Sequence, residues 1–133
     1  MPRPLPRLPE PDSEPFWRAT KNHELKYQQC NDCNTVVFYP RQHCTHCGSP
    51  NLSWKTSAGL GTVYTYSIVR QNRSPFFRDL VPYVLAYVDL DEGFRIMTNV
   101  VGTPRVEDVK CGMRVKVQWE DYEEVALPLF APA

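Results

Sequence analysis

The chain has 133 residues, 42% of them hydrophobic, which suits one compact domain or a small module joined to a larger one. Lys plus Arg and Asp plus Glu are equal at 15 each, so the chain lacks the basic excess usual in proteins that grip a polyanion. It has no apolar run of about eighteen residues and no apolar stretch typical of a secretory signal, so we expect a soluble cytoplasmic protein without a membrane segment.

The first segment is a proline-rich arm followed by a short helix. Residues 1–12 contain five prolines and few core-forming residues, so we expect an extended arm that is disordered or laid across a partner. Ser13 or Asp12 is a suitable N-cap for the helix that follows. The apolar face of this helix begins with Phe16 and Trp17, which need cover from this domain or from another subunit. We take both aromatic residues as candidate partner contacts.

Four of the five cysteines have the spacing of metal ligands. Cys30-x2-Cys33 and Cys44-x2-Cys47 are two knuckles separated by ten residues, and each knuckle directs backbone amides at its sulfurs. Four thiolates in a tetrahedron suit Zn²⁺, and iron at rubredoxin-type sites uses the same ligand set. Because four thiolates close the coordination shell, we predict a structural zinc rather than a catalytic one. Removing it should loosen residues 25–55.

Two histidines and the fifth cysteine are not needed as metal ligands. His43 and His46 lie beside the second knuckle and are chemically able to replace a cysteine, but the four cysteines already have the required spacing. The fifth cysteine, Cys111, lies alone in a turn-like stretch without an adjacent histidine to activate it. We interpret Cys111 as structural or incidental.

Beyond residue 59 the pattern changes to β-strands. Alternating or apolar runs predict strands at Thr62–Arg70, Tyr83–Leu90, Phe94–Val101 and Arg114–Trp119, and a short one near Glu123–Leu127 that Pro128 closes. Such antiparallel strands suit a small closed barrel of the OB type, with a small open sandwich as the competing architecture. The predicted fold is mainly β: an N-terminal helix, a zinc ribbon, and then a small OB-type antiparallel β-barrel.

The order of these motifs resembles a known family. The motifs are the Phe-Trp helix, the two zinc knuckles, Gly-x-Gly-x-Val-Tyr-x-Tyr (59–66), Pro-Tyr-Val (82–84), Gly-Met before Val-x-Val (112–117) and Pro-Leu-Phe (128–130). From Phe16 to Phe130 the chain resembles the bacterial and archaeal acyl-CoA-associated family with a rubredoxin-like zinc ribbon and an OB-fold, long filed as a numbered domain of unknown function. Asn34 stands where that family often has glycine. We divide the chain into an arm and docking helix (1–24), a zinc ribbon (25–57) and an OB-fold barrel (58–133).

The resemblance implies a non-catalytic accessory subunit of an acyl-CoA-processing complex. Members of the family accompany thiolase-like enzymes, acyl-CoA synthases or MaoC-type hydratases, and some pair with a thiolase-fold aldolase in steroid side-chain degradation. We therefore expect a thiolase or a retro-aldol lyase as the partner, in a two-plus-two heterotetramer. The residues themselves show no Ser-His-Asp or Cys-His arrangement and no phosphate-binding glycine loop, which fits a subunit without catalysis of its own.

An acyl-CoA site needs aromatic faces for adenine and cations for phosphates. The loop after the first barrel strand offers both, and this loop commonly borders the ligand face of an OB-fold. The candidate acyl-CoA contacts are Arg70, Arg73, Phe76, Phe77 and Arg78 in this loop, and Arg41 just before the second knuckle. An ordinary solvated loop is the alternative interpretation.

Two other functions remain open. Zinc ribbons and OB-folds also occur in nucleic-acid-binding proteins, but the zero net charge and the acidic residues spread through the barrel argue against a nucleic-acid partner. A pure assembly scaffold would contact the partner through the arm and the helix and leave the acyl-CoA wholly to the enzyme subunit.

Overall fold

A computed structural model describes residues 2–133 of the chain. A short helix, α1 (Glu14–Thr20), precedes a three-stranded sheet and a closed five-stranded barrel. The sheet contains β1 (Lys26–Cys30), β2 (Val36–Val37) and β3 (Leu52–Thr56), and the barrel contains β4 (Leu60–Val69), β5 (Tyr83–Leu90), β6 (Arg95–Val100), β7 (Arg114–Asp121) and β8 (Ala126–Pro132). A single helical turn, α2 (Pro75–Arg78), lies between β4 and β5, and a short 3-10 helix covers Val106–Asp108. Among these elements no helix is long and apolar enough to cross a membrane.

The barrel closes in the order β4-β5-β6-β8-β7, which is the strand order of an OB-fold. Neighbouring strands are antiparallel except β6 and β8, which are parallel and pair where Val100 faces Phe130. A bulge between Val63 and Thr65 in β4 increases its twist and so helps the sheet to close. The predicted helix, ribbon and OB-type barrel are therefore confirmed, and the open sandwich is not the architecture.

The last strand differs from its prediction. We expected Pro128 to end it, but β8 continues through Pro128, which pairs with Trp119, to Pro132. Proline is tolerated because the β6 side of β8 is paired at a single position, so its missing N–H interrupts no ladder there. The Pro128 carbonyl instead accepts a hydrogen bond from the Thr98 hydroxyl at 2.8 Å.

One hydrophobic core joins the helix, the sheet and the barrel. Phe16 of α1 is 4% exposed and meets Phe38, which follows β2, edge-on with ring centroids 5.7 Å apart. Phe38 lies 4.8 Å from Phe94 in the turn between β5 and β6, and Tyr27 of β1 stacks on Phe94 at 5.0 Å. We call these four aromatic residues the aromatic junction. These side chains come from all three parts of the fold, so the junction packs the parts against one another; a second, smaller buried cluster lies around Cys30, Val37 and Cys44.

The linker between the sheet and the barrel is tied to the β5–β6 turn. The Ser57 hydroxyl donates to Glu92 Oε1 at 2.6 Å, and the Ala58 N–H donates to Glu92 Oε2 at 2.8 Å. The Gly59 N–H then donates to Ser57 Oγ at 2.9 Å. These bonds fix the chain where it enters the first barrel strand.

The proline-rich arm lies on the barrel of its own chain. The Arg3 guanidinium is 5.4 Å from the ring centroid of Phe76 and 5.6 Å from that of Phe77. It also donates to Asn99 Oδ1 at 3.3 Å and to Glu120 Oε1 at 3.5 Å, and its side chain is only 10% exposed. Cation-π contacts and two acceptors thus hold the arm in place. The arm is thus ordered against its own barrel, whereas the sequence predicts an arm that is disordered or laid across a partner.

Candidate metal centre and barrel groove

The four predicted metal ligands meet at one end of the three-stranded sheet. Their sulfur atoms all lie within 4.8 Å of one another. Cys30 Sγ is 3.6 Å from Cys47 Sγ, and Cys33 Sγ is 3.6 Å from Cys44 Sγ. Zn–S bonds of about 2.3 Å in a tetrahedron would place the sulfurs about 3.8 Å apart. The donor set therefore fits a zinc ion in both chemistry and spacing.

The backbone of each knuckle supports this arrangement. The N–H groups of His46 and Cys47 point at Cys44 Sγ, at 3.3 Å and 3.5 Å. Asn34 and Gly48, which follow the two knuckles, have φ angles of 64° and 77°. These left-handed conformations are the ones that asparagine and glycine adopt most readily. The asparagine in place of the family's usual glycine therefore keeps the turn.

Hydrogen bonding with Thr35 favours the zinc-binding form of Cys33 in the first knuckle. The Thr35 hydroxyl lies 3.1 Å from Cys33 Sγ, and its hydrogen bond to the thiolate lowers the pKa of Cys33 to about 6. Because the thiolate is the metal-binding form of cysteine, Thr35 assists metal binding. Of residues 2–133, only cysteines belong to the cluster, and His46 contributes a backbone N–H alone. Zinc bound by four sulfurs has no open position for a substrate, so it supplies stability and no chemistry.

A groove of about 720 Å³ lies on the outer face of the barrel. Its floor is formed by β5 and β6, the second and third barrel strands, whose outer face commonly binds ligands in OB-folds. Its walls come from the arm, α1, the loop after β2, and β8. We call it the barrel groove, and its large apolar side chains include Trp17, Tyr39, Leu85, Tyr87 and Met97. Its charged lining residues, Arg3, Glu10 and Asp12, all belong to the arm.

The predicted acyl-CoA residues do not line the barrel groove. Arg70 is ion-paired with Glu107 at 3.1 Å. Arg73 and Arg78 are exposed in the β4–β5 loop and form no ion pair within residues 2–133. Arg41 is also exposed, and the buried Gln28 side chain clamps its backbone with two hydrogen bonds of 2.8 Å.

Phe76 and Phe77 lie in the same loop as Arg73 and Arg78 and contact each other edge-on, with ring centroids 5.0 Å apart. Both rings have Arg3 of the arm over them. The cation that contacts these aromatic rings is therefore Arg3 of the arm, which the sequence did not predict.

The two predicted partner contacts have different environments. Phe16 also lines the groove, but it is buried in the aromatic junction, so its own chain covers nearly all of its side chain. Trp17 is half-buried and lines the barrel groove. The predicted contact with a partner stays a prediction, and it now depends on Trp17.

Sequence reasoning also missed the groove itself. The Met97 N–H donates to Tyr39 Oη at 2.8 Å, which joins the zinc-binding half of the chain to the barrel at the groove. One signal was available: Leu85, Tyr87 and Met97 occupy outward-facing strand positions that are usually polar in a sheet with one solvated face.

Two family models match consecutive parts of the chain. The rubredoxin-like zinc ribbon domain of ChsH2 matches residues 17–53, and the C-terminal OB-fold domain of ChsH2 matches residues 54–120. The ribbon match and the geometry of the four cysteines agree, and together they confirm the predicted structural zinc.

Several known proteins are similar to the chain. A probable enoyl-CoA hydratase alpha subunit of Thermomonospora curvata is 37% identical across 98% of this chain, which spans 40% of that protein's length. A DUF35 domain-containing scaffold protein of Methanocaldococcus jannaschii is 35% identical across 81% of this chain and 77% of its own length. The benzoylsuccinyl-CoA thiolase subunit BbsA of Geobacter metallireducens is 28% identical across 70% of this chain and 60% of its own.

A solved structure is similar over nearly the whole chain. A chain of the Ltp2-ChsH2(DUF35) aldolase superposes with a TM-score of 0.84 at 34% identity. The match covers 96% of this chain and 98% of that one.

Proposed function

Because the chain belongs to the ChsH2 family of proteins with a rubredoxin-like zinc ribbon and an OB-fold, we propose that it is a non-catalytic accessory subunit of an acyl-CoA-processing complex. The observation that carries this proposal is its end-to-end likeness to one chain of a two-component aldolase. The names of its relatives, a hydratase subunit and a thiolase subunit that act on CoA thioesters, support the same class of substrate.

The proposed partner is a thiolase-fold enzyme, either a thiolase or a retro-aldol lyase, in a two-plus-two heterotetramer. Steroid side-chain degradation is one pathway that would use such a complex. Within it, residues 1–24 serve docking, residues 25–57 form the zinc-stabilised ribbon, and residues 58–133 form the barrel. The closed sulfur shell supports this division, because the zinc ion has no position for substrate and the chemistry would belong to the partner.

Co-expression with a candidate thiolase-fold enzyme tests the proposal. We expect the two chains to co-elute, light scattering to give the mass of two copies of each, and acyl-CoA turnover to need both chains. Turnover of an acyl-CoA by this chain alone, or elution of the two chains as separate species, would contradict the proposal.

The β4–β5 loop is the proposed contact with the CoA part of the substrate. Arg73 and Arg78 are exposed cations without ion pairs within residues 2–133, so they are available to bind phosphates. Arg70 is less available, because it is ion-paired with Glu107. Phe76 and Phe77 provide the aromatic surface beside them, and Arg41 is a further exposed cation near the metal centre.

Replacement of both free arginines, Arg73→Ala and Arg78→Ala, should weaken acyl-CoA binding by the assembled complex. Charge-assisted hydrogen bonds at exposed positions predict a rise in Kd of about tenfold, measured by calorimetry at low salt. Lys110→Ala is the control, because Lys110 is an exposed cation of the barrel domain outside the loop and forms no ion pair within residues 2–133.

Unchanged acyl-CoA affinity in the loop variant would remove the loop from the substrate site. The pure scaffold would then be the better function, as the name of the Methanocaldococcus relative suggests.

A further inference from the structure

Exposed apolar side chains are concentrated on the barrel groove. Of the seven large hydrophobic residues that are exposed within residues 2–133, four line it. They are Tyr39 (48% exposed), Leu85 (38%), Tyr87 (41%) and Met97 (51%). Single exposed apolar residues are ordinary on a protein surface, but a cluster on one face usually marks a binding surface.

These four side chains form one continuous surface. Tyr87 and Met97 are directly opposite each other on β5 and β6, and Leu85 points to the same face two residues before Tyr87. The hydroxyl of Tyr39 is bonded to the backbone of Met97, which brings the ribbon against the strands. Trp17 of α1 forms part of the wall. Three separate parts of the chain thus contribute to one apolar surface.

Charge is confined to the arm side of the groove. The Arg3 guanidinium is engaged by Phe76, Phe77 and two oxygen acceptors, which leaves Glu10 and Asp12 as the acidic groups. Hydrogen bonds from Ser13 lower the pKa of Glu10, so this carboxylate stays ionised at neutral pH. The groove therefore has an uncharged floor of aromatic, Met and Leu side chains beside a negative edge.

This arrangement matches a protein interface better than a small-molecule pocket. Interface centres are rich in Tyr, Trp and Met and poor in charge, with polar groups around them. Small-molecule pockets enclose most of their ligand, whereas half-exposed Met97 and Tyr39 leave this floor open.

We propose that the barrel groove receives an apolar segment of the partner enzyme subunit, flanked by basic residues that face Glu10 and Asp12. The inference rests on the proposed function, and it locates the partner contact on Tyr87, Met97, Tyr39 and Trp17. The helix then contributes mainly Trp17 to the interface, because Phe16, which also lines the groove, is only 4% exposed.

The double variant Tyr87→Thr with Met97→Thr tests the proposal in the full chain. Threonine suits a strand, so the barrel should remain intact, as thermal midpoint and zinc content will show. We expect Kd for the partner subunit, measured by calorimetry or surface plasmon resonance, to rise about 30-fold or more, because large side chains at interface centres carry most of the affinity. Leu80→Thr is the matched control: Leu80 is 41% exposed but does not line the groove, and its Kd should stay within about threefold of wild type.

The negative edge has its own test. Asp12→Asn should slow association with the partner at low salt and reduce the dependence of the association rate on ionic strength. An unchanged rate and salt dependence would remove the basic flank from the proposal.

The outcomes separate this inference from the proposed function. If wild type binds no thiolase-fold subunit, the proposed function fails. If wild type binds and the double variant binds equally well, only the groove assignment is overturned. Loss of self-association in the isolated variant, with partner affinity unchanged, would assign the groove to a second copy. Loss of acyl-CoA affinity alone would assign it to the substrate. Either result would overturn the proposal.

Discussion

Gly61 shows how a single residue sets the spacing of the barrel strands. A Cβ atom at this position would lie 2.6 Å from the Asp89 carbonyl oxygen and 2.7 Å from Val88 Cγ1. This oxygen is a backbone atom of β5, so it cannot move aside as the end of a flexible side chain could. The second glycine of the Gly-x-Gly motif is therefore required by the close approach of two strands.

Gly61→Ala should lower the free energy of unfolding by about 1–3 kcal/mol, since β4 and β5 must separate to admit the methyl group. Denaturant unfolding of the zinc-bound protein measures the effect. Ser67→Ala on the same strand is the control: Ser67 is exposed, and the change should stay within about 0.5 kcal/mol. Equal stability of the two variants would contradict the steric argument.

Residues differ in how far the sequence determines their role. The four cysteines could be assigned as ligands because a metal site of this type is built from local turns with fixed spacing. Arg3 could not be placed, because its acceptors, Asn99 and Glu120, lie more than ninety positions away in the sequence. The aromatic loop was recognised, but the cations beside its rings were expected to be Arg70, Arg73 and Arg78 of the same loop.

Among the elements, α1 is held to the barrel by one buried hydroxyl. Thr20 is fully buried, and its Oγ1 donates to the Trp17 carbonyl at 2.5 Å. The same oxygen accepts from the Ala126 N–H of β8 at 3.1 Å. The position of Trp17 at the groove therefore depends on Thr20.

Thr20→Val retains the shape of the side chain but removes the acceptor for Ala126 N–H. Leaving this buried donor unsatisfied should cost about 1–3 kcal/mol. Hydrogen exchange should show faster exchange of the Ala126 amide and of α1. Thr65→Val, an exposed change on β4, is the control. Unaltered exchange at Ala126 would show that the hydroxyl does not hold the helix.

Element prediction succeeded where side chains alternate and failed where they do not. The strand Tyr83–Leu90 was predicted with its observed bounds, because one face is buried and the other is not. β1 and β3 were missed because they lie within the zinc module, where the metal and the loop geometry replace a long apolar pattern. The prediction that Pro128 ends the last strand was wrong, because β8 continues to Pro132. Whether a strand tolerates proline depends on the strand that neighbours it.

At the scale of the whole molecule, the metal centre and the barrel share the aromatic junction. Tyr27 and Phe38 come from the zinc-binding half and both pack on Phe94 of the barrel. The fold class followed from cysteine spacing and strand alternation. The shared core could not be predicted in this way, because Tyr27 and Phe38 lie far from Phe94 in the sequence and no local pattern indicates their contact.

Zinc removal by a chelator should therefore affect more than residues 25–55. Hydrogen exchange should accelerate in β1 to β3 and also in the turn around Phe94, and the thermal midpoint should fall, because the metal stabilises the side of the core that Phe94 packs against. β7, which makes no part of the aromatic junction, should keep its protection. Added zinc should restore the original pattern, and unchanged exchange at Phe94 would show that the barrel is independent of the metal.

The hydrogen-bonded linker at Ser57–Gly59 affects how fast the protein can associate with another protein. With both carboxylate oxygens of Glu92 bonded to this segment, no free hinge separates the ribbon from the barrel. The backbone entropy of these residues, about 1–2 kcal/mol each, is lost during folding and need not be lost again on encounter with another protein. Association should then proceed as rigid-body docking in a single kinetic phase, its speed set by diffusion and orientation.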